Sequence, residues 1–144
     1  MVAAGVVAFS KEKNEYYDFE AERLIIPIID NMNNVIAFGG RVIVKTDFAK
    51  YKNTRETTVF IKNKTLYNIN NLKKLKREKG VLPYVIMVEG YMDVIALYSA
   101  GFKNVVASMG TSLTIEQARL LLRYTDTVVI SYDGDSAGQN ATFR

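Results

Sequence analysis

The chain uses two hydrophobic rhythms. Up to about residue 70, apolar positions gather in short runs without helical spacing. Beyond Leu82, short apolar runs alternate with stretches in which apolar residues recur every three or four positions. In the first region Leu24–Ile28 and Val35–Val44 read as strands. The Asp30-Asn31-Met32-Asn33-Asn34 segment between them is a turn, because Asn and Asp tolerate left-handed backbone, so the two strands form an antiparallel hairpin. Gly39-Gly40 in the second strand predicts a bulge or a close backbone approach. Residues 45–70 mix polar and aromatic side chains and predict short strands at most. Asn70–Lys79 predicts a helix or helical linker ending at Gly80.

From Leu82 the elements alternate. Tyr84–Val88, Asn104–Ala107 and Thr127–Ser131 are short apolar strands. Tyr91–Ser99 reads as a helix, with Val94, Leu97, Tyr98 and, just beyond it, Gly101 at helical spacing. A second helix starts at Thr114, which with Gln117 makes a capping box, and shows Ile115, Ala118, Leu121 and Leu122 on one face. Strand–helix–strand–helix–strand implies a parallel sheet with right-handed crossovers. The predicted class is therefore α/β: a mixed α+β piece over about 1–80, then a Rossmann-like piece with a parallel sheet over about 81–144.

In parallel sheets ligands collect at the carboxyl ends of the strands. Two segments put acids there: Val88-Glu89-Gly90-Tyr91-Met92-Asp93 and Ser131-Tyr132-Asp133-Gly134-Asp135-Ser136-Ala137-Gly138, about forty residues apart. If their strands are neighbours, Glu89, Asp133 and Asp135 converge. Three such carboxylates repel one another, and a divalent cation relieves the repulsion. Alternate residues of an extended segment point to one side, so Asp133 and Asp135 can hold one ion, with Gly134 leaving room between them. Asp93 falls in the first turn of the following helix, where it serves either the helix dipole or the metal. Taken alone, Glu89 is equally a loop carboxylate; the Asp-Gly-Asp segment is more specific, with a surface turn as its competing reading.

Composition sharpens this. The 144 residues include no Cys and no His. Disulfides, thiolate zinc sites and Ser–His or Cys–His nucleophiles are excluded, and any metal must sit on oxygen, as Mg²⁺, Mn²⁺ or Ca²⁺ do. There is no Walker-type phosphate loop, no apolar run long enough for a membrane span and no signal-peptide pattern, so the expected location is the cytoplasm. The net charge of +4 hides an asymmetry: residues 41–80 hold 12 basic and 3 acidic side chains, whereas 81–144 hold 4 basic and 6 acidic. A basic block beside an acidic one suits a protein that holds a polyanion over a metal site. For Lys73, Lys74, Lys76 and Lys79 a solvated helix face is the competing reading. The chemistry implied is phosphoryl or nucleotidyl transfer.

At these residues the chain resembles the Toprim fold shared by primases, topoisomerases and related nucleases, and more narrowly the bacterial DnaG-type DNA primases. Val88–Val94 is similar to that family's EGYMDV motif, Ala107–Thr114 to A-S-x-G-T-[AS]-L-T, and Tyr132–Gly138 to DGDxAG. Upstream, Phe38–Arg41 resembles FGGR, Lys50–Thr57 resembles KYLNSPET, and Phe60–Tyr67 resembles FHKGRxLYG. The likeness covers nearly the whole chain, in order. It departs where Tyr17–Arg23 replaces YDRFRxR, where Ile61 and Arg55 replace His and Pro, and where Asn63 and Asn68 replace glycines.

The resemblance implies an enzyme that makes RNA primers on a single-stranded DNA template from NTPs, holding an RNA–DNA hybrid and using Mg²⁺ or Mn²⁺. By it, Glu89, Asp133 and Asp135 are catalytic acids and metal ligands, with Asp93 beside them. Arg41, Lys50, Lys62 and Lys64 face template or nucleotide phosphates. It also implies a partial core. A later acidic pair would lie past Arg144, a basic segment before Met1, and the zinc module and the region that meets the replicative helicase would lie elsewhere. Primer synthesis by this chain alone is therefore expected to be weak or absent. The competing expectations are a non-catalytic single-strand-binding remnant and another Toprim enzyme, a nuclease or topoisomerase.

Overall fold

The computed structural model describes residues 6–18, 21–44, 49–110 and 112–133, so Gly134, Asp135 and Gly138 lie outside the described residues. The chain divides into two compact units, residues 1–28 with 35–61, and residues 29–34 with 62–144.

In the first unit, β1 (Val7–Ser10) pairs antiparallel with β2 (Glu15–Asp18), and Asn14 turns the chain with φ 53°. A second sheet runs β3 (Arg23–Ile29), β4 (Val35–Val42), β5 (Tyr51–Asn53). β3 is an edge strand, which is why Pro27 fits: it has no N–H to leave unpaired. Ile26 and Ile28 on alternate positions are buried and Pro27 is exposed. Gly39 and Gly40 pair in unbroken register with Asn53 and Lys52, so no bulge occurs there against β5. The ladder extends to the fully buried Thr54, whose N–H donates to the Phe38 carbonyl at 2.9 Å and whose hydroxyl accepts the Phe38 N–H at 2.9 Å.

The second unit has a parallel sheet in the order β7 (Val105–Ala107), β6 (Val85–Val88), β8 (Val128–Ile130). Helix α2 (Tyr91–Ser99) connects β6 to β7, and α3 (Ile115–Leu121) connects β7 to β8. Helix α1 (Ile69–Lys79) precedes β6 and ends at Gly80, whose φ of 77° with ψ −127° is a positive-φ geometry that glycine adopts at little cost. Both faces of β6 and β7 are covered, as parallel strands require. Val85, Met87 and Val106 pack with Ile69 and Leu72 of α1 and Leu121 of α3; Val88, Val105 and Ala107 pack with Val94 of α2. The outer edge of β7 is closed by Tyr67, whose N–H donates to the Ala107 carbonyl at 2.9 Å. Among the described residues no helix is long and apolar enough to cross a membrane.

Candidate active site

From β6 the chain crosses to β7 on one side, and from β7 it crosses back to β8 on the other. The carboxyl end of β6 is thus a topological switch point, where open parallel sheets form their ligand crevice. Glu89 is the first residue beyond β6 and Asp133 the third beyond β8. The Glu89 carboxylate accepts the Asp133 backbone N–H at 3.1 Å, closing the two strand ends on each other. Glu89 is half-buried and Asp133 exposed, so these acids line an accessible rim rather than a sealed core.

Two local devices fix Glu89. Its carbonyl accepts the Met109 N–H at 3.0 Å, which ties the exit of β7 to that of β6. Met109 does this with φ 62°, a left-handed conformation that costs a non-glycine residue on the order of 1–3 kcal/mol, while its side chain is buried. Strain of this kind persists only where the surroundings over-determine it. On the other side, the Gly90 N–H donates to Asp93 Oδ2 at 3.1 Å at the start of α2. A side chain at 90 would set its Cβ 3.2 Å from that carboxylate oxygen, so glycine lets Asp93 close over the turn. Asp93 is exposed and near the positive end of the α2 dipole.

Tyr132 and Ser108 join the rim without having been singled out in the sequence. Burial, the dominant influence, raises the Tyr132 phenol above its ordinary value; the Glu89 charge adds to this, and Ser108 and the Leu113 backbone partly offset it. The signal for both was their membership of the resembled Tyr132–Gly138 and Ala107–Thr114 stretches. Among the described residues, no group of three acids stands close enough to hold a metal ion. Asp135 lies outside that set.

The basic residues fall into two groups. In the first unit Arg41 faces Tyr51 across β4 and β5, and both Arg41 and Lys50 lie over the Tyr51 ring, at 5.5 and 5.6 Å from its centre. That ring is 41% exposed, so cations and an aromatic face share one open surface. In the second unit Lys62 and Lys64 sit on a single 3₁₀ turn, Lys62–Lys64. The turn is clamped by Gln117, which is fully buried: its Nε2 donates to the Lys62 and Thr65 carbonyls at 3.0 and 2.9 Å. Thr114, the N-cap of α3, adds a hydroxyl bond to the Asn63 carbonyl at 2.5 Å.

A parallel sheet with acids at its switch point, joined in sequence to an antiparallel unit that carries Arg41 and Lys50, is the arrangement expected of Toprim-bearing nucleic-acid enzymes. Residues 1–73 match the family described as DNA primase catalytic core, N-terminal domain, and residues 84–144 match the Toprim domain. The chain belongs to the DNA primase catalytic-core family. It is 46% identical over its whole length to the DNA primase of Clostridium acetobutylicum, of which it spans 23%. Among solved structures it is similar to a DNA primase domain from Pseudomonas aeruginosa, with TM-score 0.88, 37% identity, and coverage of 99% of this chain and 43% of that one. It is also similar to a DnaG primase catalytic domain bound to ssDNA, with TM-score 0.85, 39% identity, and coverage of 99% and 43%.

Proposed function

We propose that the chain forms part of a primase active centre that builds RNA primers on single-stranded DNA by divalent-metal-dependent nucleotidyl transfer. In this reading residues of about 1–80 supply the basic surface and those of about 81–144 the acidic one. The observation that carries it is the hydrogen bond from the Asp133 N–H to the Glu89 carboxylate, which draws two acids to one switch point. The donors there are all oxygen, which suits a hard cation such as Mg²⁺ or Mn²⁺. Glu89, Asp133 and Asp135 would hold it, with Asp93 at the margin. Bound there, the ion supplies neutralising charge at the transferring phosphate.

The chain's own side chains supply the rest. Arg41, Lys50, Lys62 and Lys64 give charge-assisted contacts to template or nucleotide phosphates, which position a strand without reading its bases. Tyr51 adds a face on which a base can stack. The single-stranded DNA in the related catalytic domain supports this partner. Contacts to NTPs, to an RNA–DNA hybrid and, in a longer protein, to a replicative helicase follow from the same reading.

The test is Mn²⁺ affinity of the full chain, followed by its electron paramagnetic resonance signal. Glu89→Gln keeps an oxygen for the Asp133 N–H while removing charge, so it should leave the fold intact and weaken Mn²⁺ at least about tenfold, one decade being about 1.4 kcal/mol. Unchanged affinity in both Glu89→Gln and Asp133→Asn would overturn the metal assignment. With labelled NTPs and a single-stranded template, the chain alone should make little or no primer; vigorous synthesis would overturn that part.

A further inference from the structure

Helix α1 carries the densest run of positive charge, and the acidic site does not use it. One side of the helix faces the 30–34 turn across an open depression of about 530 Å³ lined by Asn31, Met32, Asn33, Lys73, Lys74 and Arg77, together with Asn70 and Asn71. It shares no residue with the Glu89–Asp133 rim. We propose that this depression is a second phosphate-binding surface, on which Lys74 and Arg77 take the sugar–phosphate backbone of a single-stranded nucleic acid.

The walls are built before any ligand arrives. The Asp30 carboxylate accepts the Met32 and Asn34 N–H groups at 2.8 and 2.9 Å and the Asn34 amide at 3.1 Å, which fixes the turn. Lys73 donates to the Asn31 carbonyl at 2.7 Å, and the Asn70 amide reaches Asn33 at 3.4 Å, which fixes turn to helix. The positive charges then sort themselves. Lys76 donates to the Arg123 carbonyl and lies over the Tyr124 ring, so it belongs to the packing. Lys73 lies near Asp30, whose carboxyl its charge helps to lower. Lys74 and Arg77 are exposed, and the lining contains no carboxylate to match them. Glu78 lies outside this lining and borders a neighbouring depression, which Lys74 and Asn71 also line.

The helix dipole accounts for Lys76, Arg77 and Lys79, which occupy the last turn, but Lys74 lies outside that turn. Lys73 and Arg77 are one turn apart, about 6 Å along the axis at 1.5 Å per residue, so the cations are strung along a line. A free phosphate calls for donors converging on a point; a polyanion calls for donors in a row. The four Asn amides add neutral donors and acceptors suited to sugar and base edges.

This proposal rests on the nucleic-acid reading above, and its test separates the two. Binding of a fluorescent single-stranded oligonucleotide to the full chain is measured by anisotropy over a range of salt, for the native chain, for Lys74→Ala/Arg77→Ala and for Arg41→Ala/Lys50→Ala. Losing two phosphate contacts should lower the slope of log affinity against log salt by about 1.4, at ≈ 0.7 per single-strand contact, and weaken binding several-fold. An unchanged slope and affinity in Lys74→Ala/Arg77→Ala overturns the proposal, and a loss confined to Arg41→Ala/Lys50→Ala does so while the reading above stands. Failure of the native chain to bind overturns both. A GTP arm completes the test: GTP affinity that depends on Lys74 and Arg77, with oligonucleotide affinity that does not, assigns the depression to a free nucleotide and overturns the polymer proposal.

Discussion

Gln117 offers the sharpest quantitative test of how this fold holds its site. Its side chain is fully buried and makes three hydrogen bonds: Nε2 to the Lys62 carbonyl at 3.0 Å and to the Thr65 carbonyl at 2.9 Å, and Oε1 from the Thr114 N–H at 3.1 Å. Gln117→Leu keeps the volume and removes all three. Each bond contributes about 1 kcal/mol net, and a buried backbone group left without a partner costs about 1–3 kcal/mol. Leucine recovers part of this through apolar burial, so the expected loss is about 3 kcal/mol. For a chain of this size each kcal/mol moves the melting temperature by about 3 °C, so Tm should fall roughly 10 °C. The measurement is a urea titration with a thermal melt, both followed by circular dichroism. Hydrogen exchange of amides 62–66 should accelerate more than that of the β6 strand, because the clamp acts on the 3₁₀ turn. Gln117→Glu should lose more at neutral pH than at about pH 4, since a charged carboxylate there cannot donate to the two carbonyls and is buried. A loss below about 1 kcal/mol in Gln117→Leu, with no local change in exchange, would refute the clamp.

Two further outcomes are expected. Asn68 has φ 69°, and its amide donates to the Val105 carbonyl at 2.9 Å, so Asn68→Ala should cost about 2–3 kcal/mol in urea unfolding, from left-handed strain and a lost buried bond. Asn68→Gly should cost less, because it removes the strain and loses only the side-chain bonds, to the Val105 carbonyl and from the Asn71 amide; the reverse ranking would show that backbone geometry is not the constraint. Burial acts to raise the Asp30 carboxyl, but the bonds from Asn34 and Met32 and the charge of Lys73 outweigh it and hold the group below its ordinary value of 3.8. A carboxyl lowered on folding stabilises above its unfolded pKa and loses that contribution as pH falls through the folded value. The Tm gap between the native chain and Asp30→Asn should therefore be constant near neutrality and shrink below about pH 4; a gap that widens in acid would refute the assignment.

The elements of the second unit were legible because each is amphipathic or wholly apolar. Tyr91–Ser99 matches α2, the Thr114/Gln117 box opens α3, and the three strands fall within a residue or two of their expected ends. Gln117 was readable as a cap but not as a clamp, since its partners lie more than fifty positions away. The β1–β2 hairpin went unseen for a physical reason. All four residues of β2 are exposed, and strand periodicity shows only when one face is buried. What pairs it is local and aromatic, with Phe9 and Tyr16 rings 5.0 Å apart. Asn68 is the converse case: it stands where the resembled family has glycine, and the structure holds that position in the left-handed region that glycine and asparagine share.

The candidate site was half legible, and strand order marks the dividing line. A carboxylate after an apolar run is visible in any sequence. Whether two such carboxylates meet depends on which strands are neighbours, and chain order alone would set β7 between β6 and β8. The observed order places β6 in the middle instead. Burial explains why: three of the four β6 residues are buried, whereas two of the three in β8 are exposed, so β6 takes the position covered on both faces and both edges. The other strand, β7, is buried throughout, but its outer edge is already sealed by Tyr67. With β6 central and β8 its neighbour, Glu89 and Asp133 leave adjacent strand ends in the same direction, and their hydrogen bond follows from the topology. The left-handed turn at Met109 and the half-buried Tyr132 phenol follow in turn, because both exist only where β7 and β8 exit beside Glu89.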